Sequence, residues 1–225
     1  MVDVEAERFQ GWFGAVPIEE FRTRYPRSAP LIHATRARGA RSLFDWDDLG
    51  LLLADEPEVV VVARGQAIRM PPPRSLVQLR WHFAAGVGLC VRRAEQHCAK
   101  LARVATWFGD LGPAHIQVFA TPGGSYRVGW HYDDEGIFIA QMAGTEVYSY
   151  CANTVTADQA ARPESFRRFS DEISPLATAT LGEGDFLYIP ARWWHMASCR
   201  ADALSLAIGV ASPDLVFPSR PLTGV

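Results

Sequence analysis

Apolar positions recur in two different rhythms along this chain, and the change falls near Gly112-Pro113. Before it the spacing is helical. Trp46, Leu49 and Leu53 predict a helix over 45–55, and residues 75–85 read as another. Cys98, Leu101, Val104, Ala105 and Phe108 share one face of a predicted helix over 92–108. Pro17 opens a short helix over 17–21, at a position that needs no N–H. The β-branched run within 58–64 predicts a buried strand. After Gly112-Pro113 the apolar stretches shorten to strand length, at 115–121, 137–142, 146–151, 177–181, 186–189 and 204–210. Between them stand turn formers: Pro122-Gly123-Gly124, Ala143-Gly144-Thr145 and Gly182-Glu183-Gly184-Asp185. Short strands joined by tight turns predict a sandwich or barrel. The expected fold class is mainly β with N-terminal helices: one domain in which a mixed helical part, 1–112, packs on a jelly-roll core, 113–212, followed by a tail, 213–225.

Composition narrows the function without naming it. The chain has 225 residues, 48% hydrophobic and 21% charged, which is ordinary for a globular protein. No apolar run approaches the roughly 20 residues of a membrane span. The acidic start, Met1-Val2-Asp3-Val4-Glu5, is unlike an export signal, so the expected location is cytoplasmic. A net charge of −3 and a pI near 6.1 give no footprint for nucleic acid. Cys90, Cys98, Cys151 and Cys199 lack metal-binding spacing and read as reduced thiols. Lys100 is the only lysine, so nearly all of the 22 basic residues are arginine.

The chemistry centres on Gly129-Trp130-His131-Tyr132-Asp133-Asp134. In extended backbone His131 and Asp133 point to one side. An imidazole and a carboxylate so placed can take adjacent positions on a metal. His195, in Pro190-Ala191-Arg192-Trp193-Trp194-His195 just after a predicted strand, is the candidate third ligand. Two histidines and one carboxylate on one face of an octahedral ion leave three positions open, the arrangement of non-haem Fe(II) oxygenases. Trp130, Tyr132 and Trp194 crowd these ligands and are candidates for a substrate wall, as is Gln141 on the following strand; a place in the core is the alternative for each. His33, His82, His97 and His115 have no ligand spacing, and Arg162, Arg167 and Arg168 read as a solvated loop face.

The order of these motifs resembles the JmjC-type cupin oxygenases, nearest to small bacterial relatives of the ribosomal-protein hydroxylases. The matching stretches are His115-Ile116-Gln117-Val118-Phe119-Ala120-Thr121-Pro122-Gly123-Gly124, Trp130-His131-Tyr132-Asp133-Asp134, Phe138-Ile139-Ala140-Gln141-Met142-Ala143-Gly144 and Gly184-Asp185-Phe186-Leu187-Tyr188-Ile189-Pro190, with His195 beyond them. The resemblance implies a double-stranded β-helix, Fe(II) held by His131, Asp133 and His195, and O2-dependent hydroxylation coupled to oxidation of 2-oxoglutarate. One position departs from the pattern. Two residues after Gly144, relatives carry a basic residue for the cosubstrate's far carboxylate; here it is Glu146. Phe119 stands where relatives often have a tyrosine hydroxyl.

Three readings follow. In the first, 2-oxoglutarate is used and a substitute cation, Arg127 or Arg192, anchors it with help from the Thr121 hydroxyl. In the second, the iron uses O2 without 2-oxoglutarate, and Glu146 meets a cationic group of the substrate. In the third, the chain is a non-catalytic metal-binding cupin. With the last residues, from Pro218, leaving no space for a further C-terminal domain, the expected substrate is a small molecule or short peptide, with no nucleic-acid or membrane partner and an open oligomeric state.

Overall fold

The structure, a computed structural model, describes Pro17, residues 20–21, 31–33 (backbone), 43–109, 111–154, 169–170 and 172–211. Eleven strands and three α-helices are assigned among them. In chain order they are β1 (Leu31–His33), α1 (Trp46–Ala54), β2 (Val59–Ala63), β3 (Gln66–Ile68), α2 (Leu76–Ala84), β4 (Val87–Val91), α3 (Ala99–Phe108), β5 (Ala114–Thr121), β6 (Gly136–Ala143), β7 (Glu146–Cys151), β8 (Ala177–Leu181), β9 (Phe186–Ile189), β10 (Trp194–Cys199) and β11 (Ala203–Val210).

Local chemistry explains the helices. Asp45 caps α1 by accepting from the Asp48 N–H, and Asp48 accepts in return from the Asp45 N–H, a reciprocal capping box. Leu49, Leu52 and Leu53 are its buried face. Ser75 caps α2 by accepting from the Gln78 N–H, two residues after the Pro71-Pro72-Pro73 run. The helix expected over 92–108 is shorter than its apolar face suggested. Arg93 takes a left-handed φ of 49°, a 3-10 turn follows at Ala94–Gln96, and α3 starts only after Cys98. The Phe21 N–H bonds the Pro17 carbonyl at 2.9 Å, the i to i−4 step of the short helix expected there. The tail, 213–225, lies outside the described residues, as do Arg162, Arg167 and Arg168.

Two sheets face one another. The larger has eight strands in the order β1-β9-β6-β11-β5-β4-β2-β3; the smaller runs β10-β7-β8. All pairings are antiparallel. β4, β2 and β3 continue the sheet past β5, so the N-terminal third is partly an extension of the core sheet. Alternation sorts the large sheet's residues between two cores. Val118, Ala120, Phe138, Ala140, Leu206 and Ile208 pack outward under α1 and α3, with Leu49, Leu53, Leu101 and Phe108. Phe119, Ile137, Ile139, Leu187 and Ala207 face the small sheet's Tyr148, Tyr150, Leu181 and Ala197. This sheet-on-sheet arrangement with helices on one side is the mainly β jelly-roll class expected from the sequence.

Candidate active site

The site lies on the inner face of the small sheet. The segment around 124–131 runs beside β10 as an extra, broken strand. Gly124 N–H bonds Cys199 O, Arg127 N–H bonds Ala197 O, and His131 and His195 exchange both backbone hydrogen bonds, at 3.2 and 2.8 Å. Directly paired residues project to one side of a sheet, so the two histidines meet, with ring centroids 4.2 Å apart. His195 is the second residue of β10, not a loop residue after a strand as expected. The reason is the turn at Pro190–Trp193, where Arg192 adopts a φ of 66° and the chain re-enters the sheet. Asp133 completes the group: its Oδ2 is 3.4 Å from His195 Nε2 and 3.9 Å from His131 Nε2.

Both imidazoles are held in the form a metal needs. His131 Nδ1 is 2.7 Å from Gly129 O, and His195 Nδ1 is 3.0 Å from Trp193 O. A carbonyl only accepts, so each Nδ1 is the donor, and in the neutral ring the Nε2 lone pair is then the one that faces Asp133. Burial, then the neighbouring His131 ring and the Arg127 charge, push His195 well below the usual imidazole range, although its bond to Trp193 opposes this. It is therefore neutral at physiological pH, the ligating form. The three donor atoms lie within 4.8 Å of one another, close enough for one ion to draw them together. The donor set, two nitrogens and a carboxylate oxygen, suits Fe(II), and three ligands would leave the remaining positions of an octahedral ion to other groups. Gly129 is itself positioned: its N–H bonds the carbonyl of Gly65, at the tip of the β2–β3 hairpin, at 2.9 Å. Gly65 has a φ of +75°, and a Cβ there would sit 3.0 Å from Gly129 N, so the tip requires glycine.

The same inner face carries a second polar cluster, away from the triad along the strands. Arg127 and Glu146 are the only buried residues with a formal charge among those described, His195 aside. Arg127 Nη1 is 3.6 Å from Glu146 Oε2, donates to Ser205 Oγ at 3.3 Å, and donates a short bond to Tyr148 Oη. Tyr148 Oη in turn donates to Glu146 Oε2 at 2.9 Å. The guanidinium carbon lies 3.5 Å from the centroid of the Phe119 ring, a cation–π contact. Phe119, which supplies no hydroxyl, thus supplies a face for Arg127. Glu146 does point inward, but toward the chain's own arginine, so the premise for a cationic substrate group there is already met from within. Burial first, then Glu146, raises the Tyr148 hydroxyl's pKa despite Arg127, so Tyr148 stays a donor. Tyr148 and Ser205 were not singled out from the sequence. The alternation Glu146, Tyr148, Tyr150 on β7 was the available signal.

The other expected site residues fall elsewhere. Arg192 sits at the mouth: its Nε is 3.1 Å from Asp134 Oδ1 and its N–H bonds Asp133 O at 2.7 Å. It fastens the Asp133-Asp134 turn to the start of β10. Thr121 is buried at the end of β5, on the face shared with Phe119. Gln141 is fully buried on the inner face of β6, and its Nε2 bonds Ala143 O at 2.9 Å. Trp130, Tyr132 and Trp194 alternate with the histidines and so lie on the opposite face of the small sheet. There Trp130 stacks on Phe169 at 3.7 Å, and Trp194 meets Tyr132 edge-on at 4.8 Å. Trp193, by contrast, packs against the inner core.

Comparison with known proteins agrees with this geometry. The JmjC domain model matches residues 92–216, more than half of the sequence, and the chain belongs to that family. Members use Fe(II) and 2-oxoglutarate. The chain is 26% identical over 223 residues to human ribosomal oxygenase 1, covering 92% of this chain and 34% of that one. It is 34% identical over 133 residues to a probable ribosomal oxygenase of Haemophilus influenzae, covering 56% of this chain and 31% of the relative. The chain therefore spans about a third of the length of these relatives. The structure of YcfD, a ribosomal oxygenase from Escherichia coli, in complex with cobalt and 2-oxoglutarate, superposes with a TM-score of 0.64 at 18% identity, over 88% of this chain and 52% of that one. These relatives, named as ribosomal oxygenases, overturn the expected small-molecule or short-peptide partner. No described helix is long and apolar enough to cross a membrane.

Proposed function

We propose that this chain is a cytoplasmic Fe(II)- and 2-oxoglutarate-dependent oxygenase that hydroxylates a side chain of a protein, in the manner of the ribosomal oxygenases it is similar to. The observation that carries the reading is the triad: two Nδ1-anchored imidazoles and one carboxylate bring three donor atoms within 4.8 Å of one another. His131, Asp133 and His195 would hold the metal. With O2 and a 2-oxo acid, the iron supplies the oxidising power for insertion into a C–H bond.

The remaining work belongs to the protein. Gly129 and Trp193 carbonyls hold the two rings in one tautomer. Arg192 fixes the carboxylate-bearing turn against β10. Arg127 is the cation that anchors the far carboxylate of 2-oxoglutarate. All its hydrogen bonds to described residues pass through Nη1, which leaves Nε and Nη2 as a parallel pair of donors. Thr121 lies on the same inner face and contributes its hydroxyl. The aromatic residues on the outer face, with Phe169 beneath Trp130, keep the small sheet rigid behind the metal.

The test is anaerobic titration of the Fe(II)-loaded protein with 2-oxoglutarate, followed by exposure to O2 with ribosomal proteins. A visible charge-transfer band, succinate release and the mass gain of one oxygen atom on a protein are expected. Fe(II) binding with no band, or turnover independent of 2-oxoglutarate, would overturn the reading.

A further inference from the structure

Glu146 is the unusual residue of the inner face. Its carboxylate is fully buried, and Oε1 has no hydrogen-bond partner. A buried carboxylate so placed stays only if a nearby charge compensates it. Arg127 does so at 3.6 Å, a distance that makes an ion pair but not a hydrogen bond. What orients the guanidinium is different: the Phe119 face, Tyr148 Oη and Ser205 Oγ. Glu146 therefore contributes charge to this cluster more than it contributes position. With Glu146 present the cluster's net charge is zero; without it the charge is +1.

We propose that Glu146 sets how tightly and how selectively this site holds a 2-oxo acid, by offsetting Arg127 so that a far carboxylate is bound weakly and little preferred over an uncharged end. The proposal rests on the reading of Arg127 as the cosubstrate anchor. An incoming carboxylate must share the guanidinium with a carboxylate already there, and in a water-poor interior the repulsion between the two is poorly screened. The arrangement also solves a problem of the ligand-free protein, because a buried arginine without a counter-charge is costly. Glu146 thus supports the empty state and opposes the filled one. A catalyst built this way responds to its cosubstrate over a range in which a +1 pocket would already be saturated.

The experiment compares 2-oxoglutarate with 2-oxopentanoate, the acid of equal length that lacks the far carboxylate. Binding is measured by calorimetry and by the charge-transfer band on the anaerobic Fe(II)-loaded protein. In Glu146→Gln, which keeps shape and the acceptor for Tyr148, 2-oxoglutarate is expected to tighten at least tenfold, about 1.4 kcal/mol. Binding of 2-oxopentanoate should hold within about threefold, since its far end carries no charge. The same variant should melt lower than wild type when empty, yet gain more from added 2-oxoglutarate. A purely structural role would weaken both acids. Unchanged or weakened 2-oxoglutarate binding in a folded, iron-loaded variant overturns the proposal. Should the variant fail to fold, the wild-type ratio decides: a preference for 2-oxoglutarate below about thirtyfold upholds it and a larger one overturns it. Absence of a band with either acid, in wild type and variant alike, overturns the cosubstrate reading itself and this proposal with it; bands that form but ignore residue 146 overturn the proposal alone.

Discussion

The two faces of the eight-stranded sheet are built from the same strands and do opposite jobs. The outward face is apolar over β5, β6 and β11, closed by α1 and α3 with Leu49, Leu53, Leu101, Val104 and Phe108. The inward side holds every buried polar or charged side chain among the described residues: Thr121, Gln141 and Ser205 on the large sheet, with Arg127, Glu146 and His195 facing them. Alternation at a period of two lets one strand serve both faces without compromise. The lesson is that stability and chemistry here are separable by parity, and substitutions on the two faces should fail in different ways.

The largest effect expected is on the inner side. His131→Ala or Asp133→Ala should lower Fe(II) affinity by more than about 100-fold, beyond the range for losing an outer-shell partner, while far-ultraviolet circular dichroism stays unchanged. Tight stoichiometric Fe(II) binding by either variant would remove the triad. On the outer face, Phe138 packs against Phe21, Phe108, Phe186 and Tyr188. Phe138→Ala should cost about 3–5 kcal/mol in denaturant unfolding, with the metal affinity of the folded fraction unaltered. A large change in that affinity would show that the two faces are not separable.

Arg192→Ala tests the border between them. Losing the Asp134 contact should weaken Fe(II) binding by about tenfold, as for other outer-shell partners. Stability should move by no more than about 1 kcal/mol, because the pair is partly exposed. The smallest effect involves His115 and Glu135, 3.2 Å apart over Gly209 at the other end of β11 from Ser205. The hydrogen bond to Glu135, opposed by burial, raises the pKa of His115 above its ordinary value. Its contribution to stability is then fully present below about pH 6.5 and is lost as the pH rises through the raised value. Denaturation at pH 6 and pH 9 in wild type and Glu135→Gln should show that dependence only in the former.

Much of this was legible in the residues. Strands β5 to β9 and β11 stand where short apolar runs between turn formers placed them, because those runs are bounded by glycines and prolines that act locally. The strand β10 was not seen, since Trp193-Trp194-His195 follows Pro190 and reads as a loop; only its pairing with β7 makes it a strand. β1, β3 and β4 were also missed, being short and defined by partners far along the chain. The triad's members were readable from one local motif and one family pattern. The Arg127–Glu146 pair was not, because the two residues come from strands on either side of β10, and no local rule joins them. The aromatic residues misled for a simple reason. Adjacent in sequence to the histidines, Trp130, Tyr132 and Trp194 are on that account turned away from them.

The contact between Gly65 and Gly129 bears on how the molecule is assembled. The family match begins at residue 92, yet the carbonyl that fixes Gly129, and through it the His131 ring, comes from a hairpin made well before that point. A fragment trimmed to the matched region would keep all three ligands and lose the strut behind one of them. The same contact joins residues distant in the chain, as does the pairing of His131 with His195, so closing the site costs loop entropy that no local structure offsets. Metal competence should therefore be a late event in folding, arriving with the docking of the hairpin and not with the formation of the strand that carries the ligand.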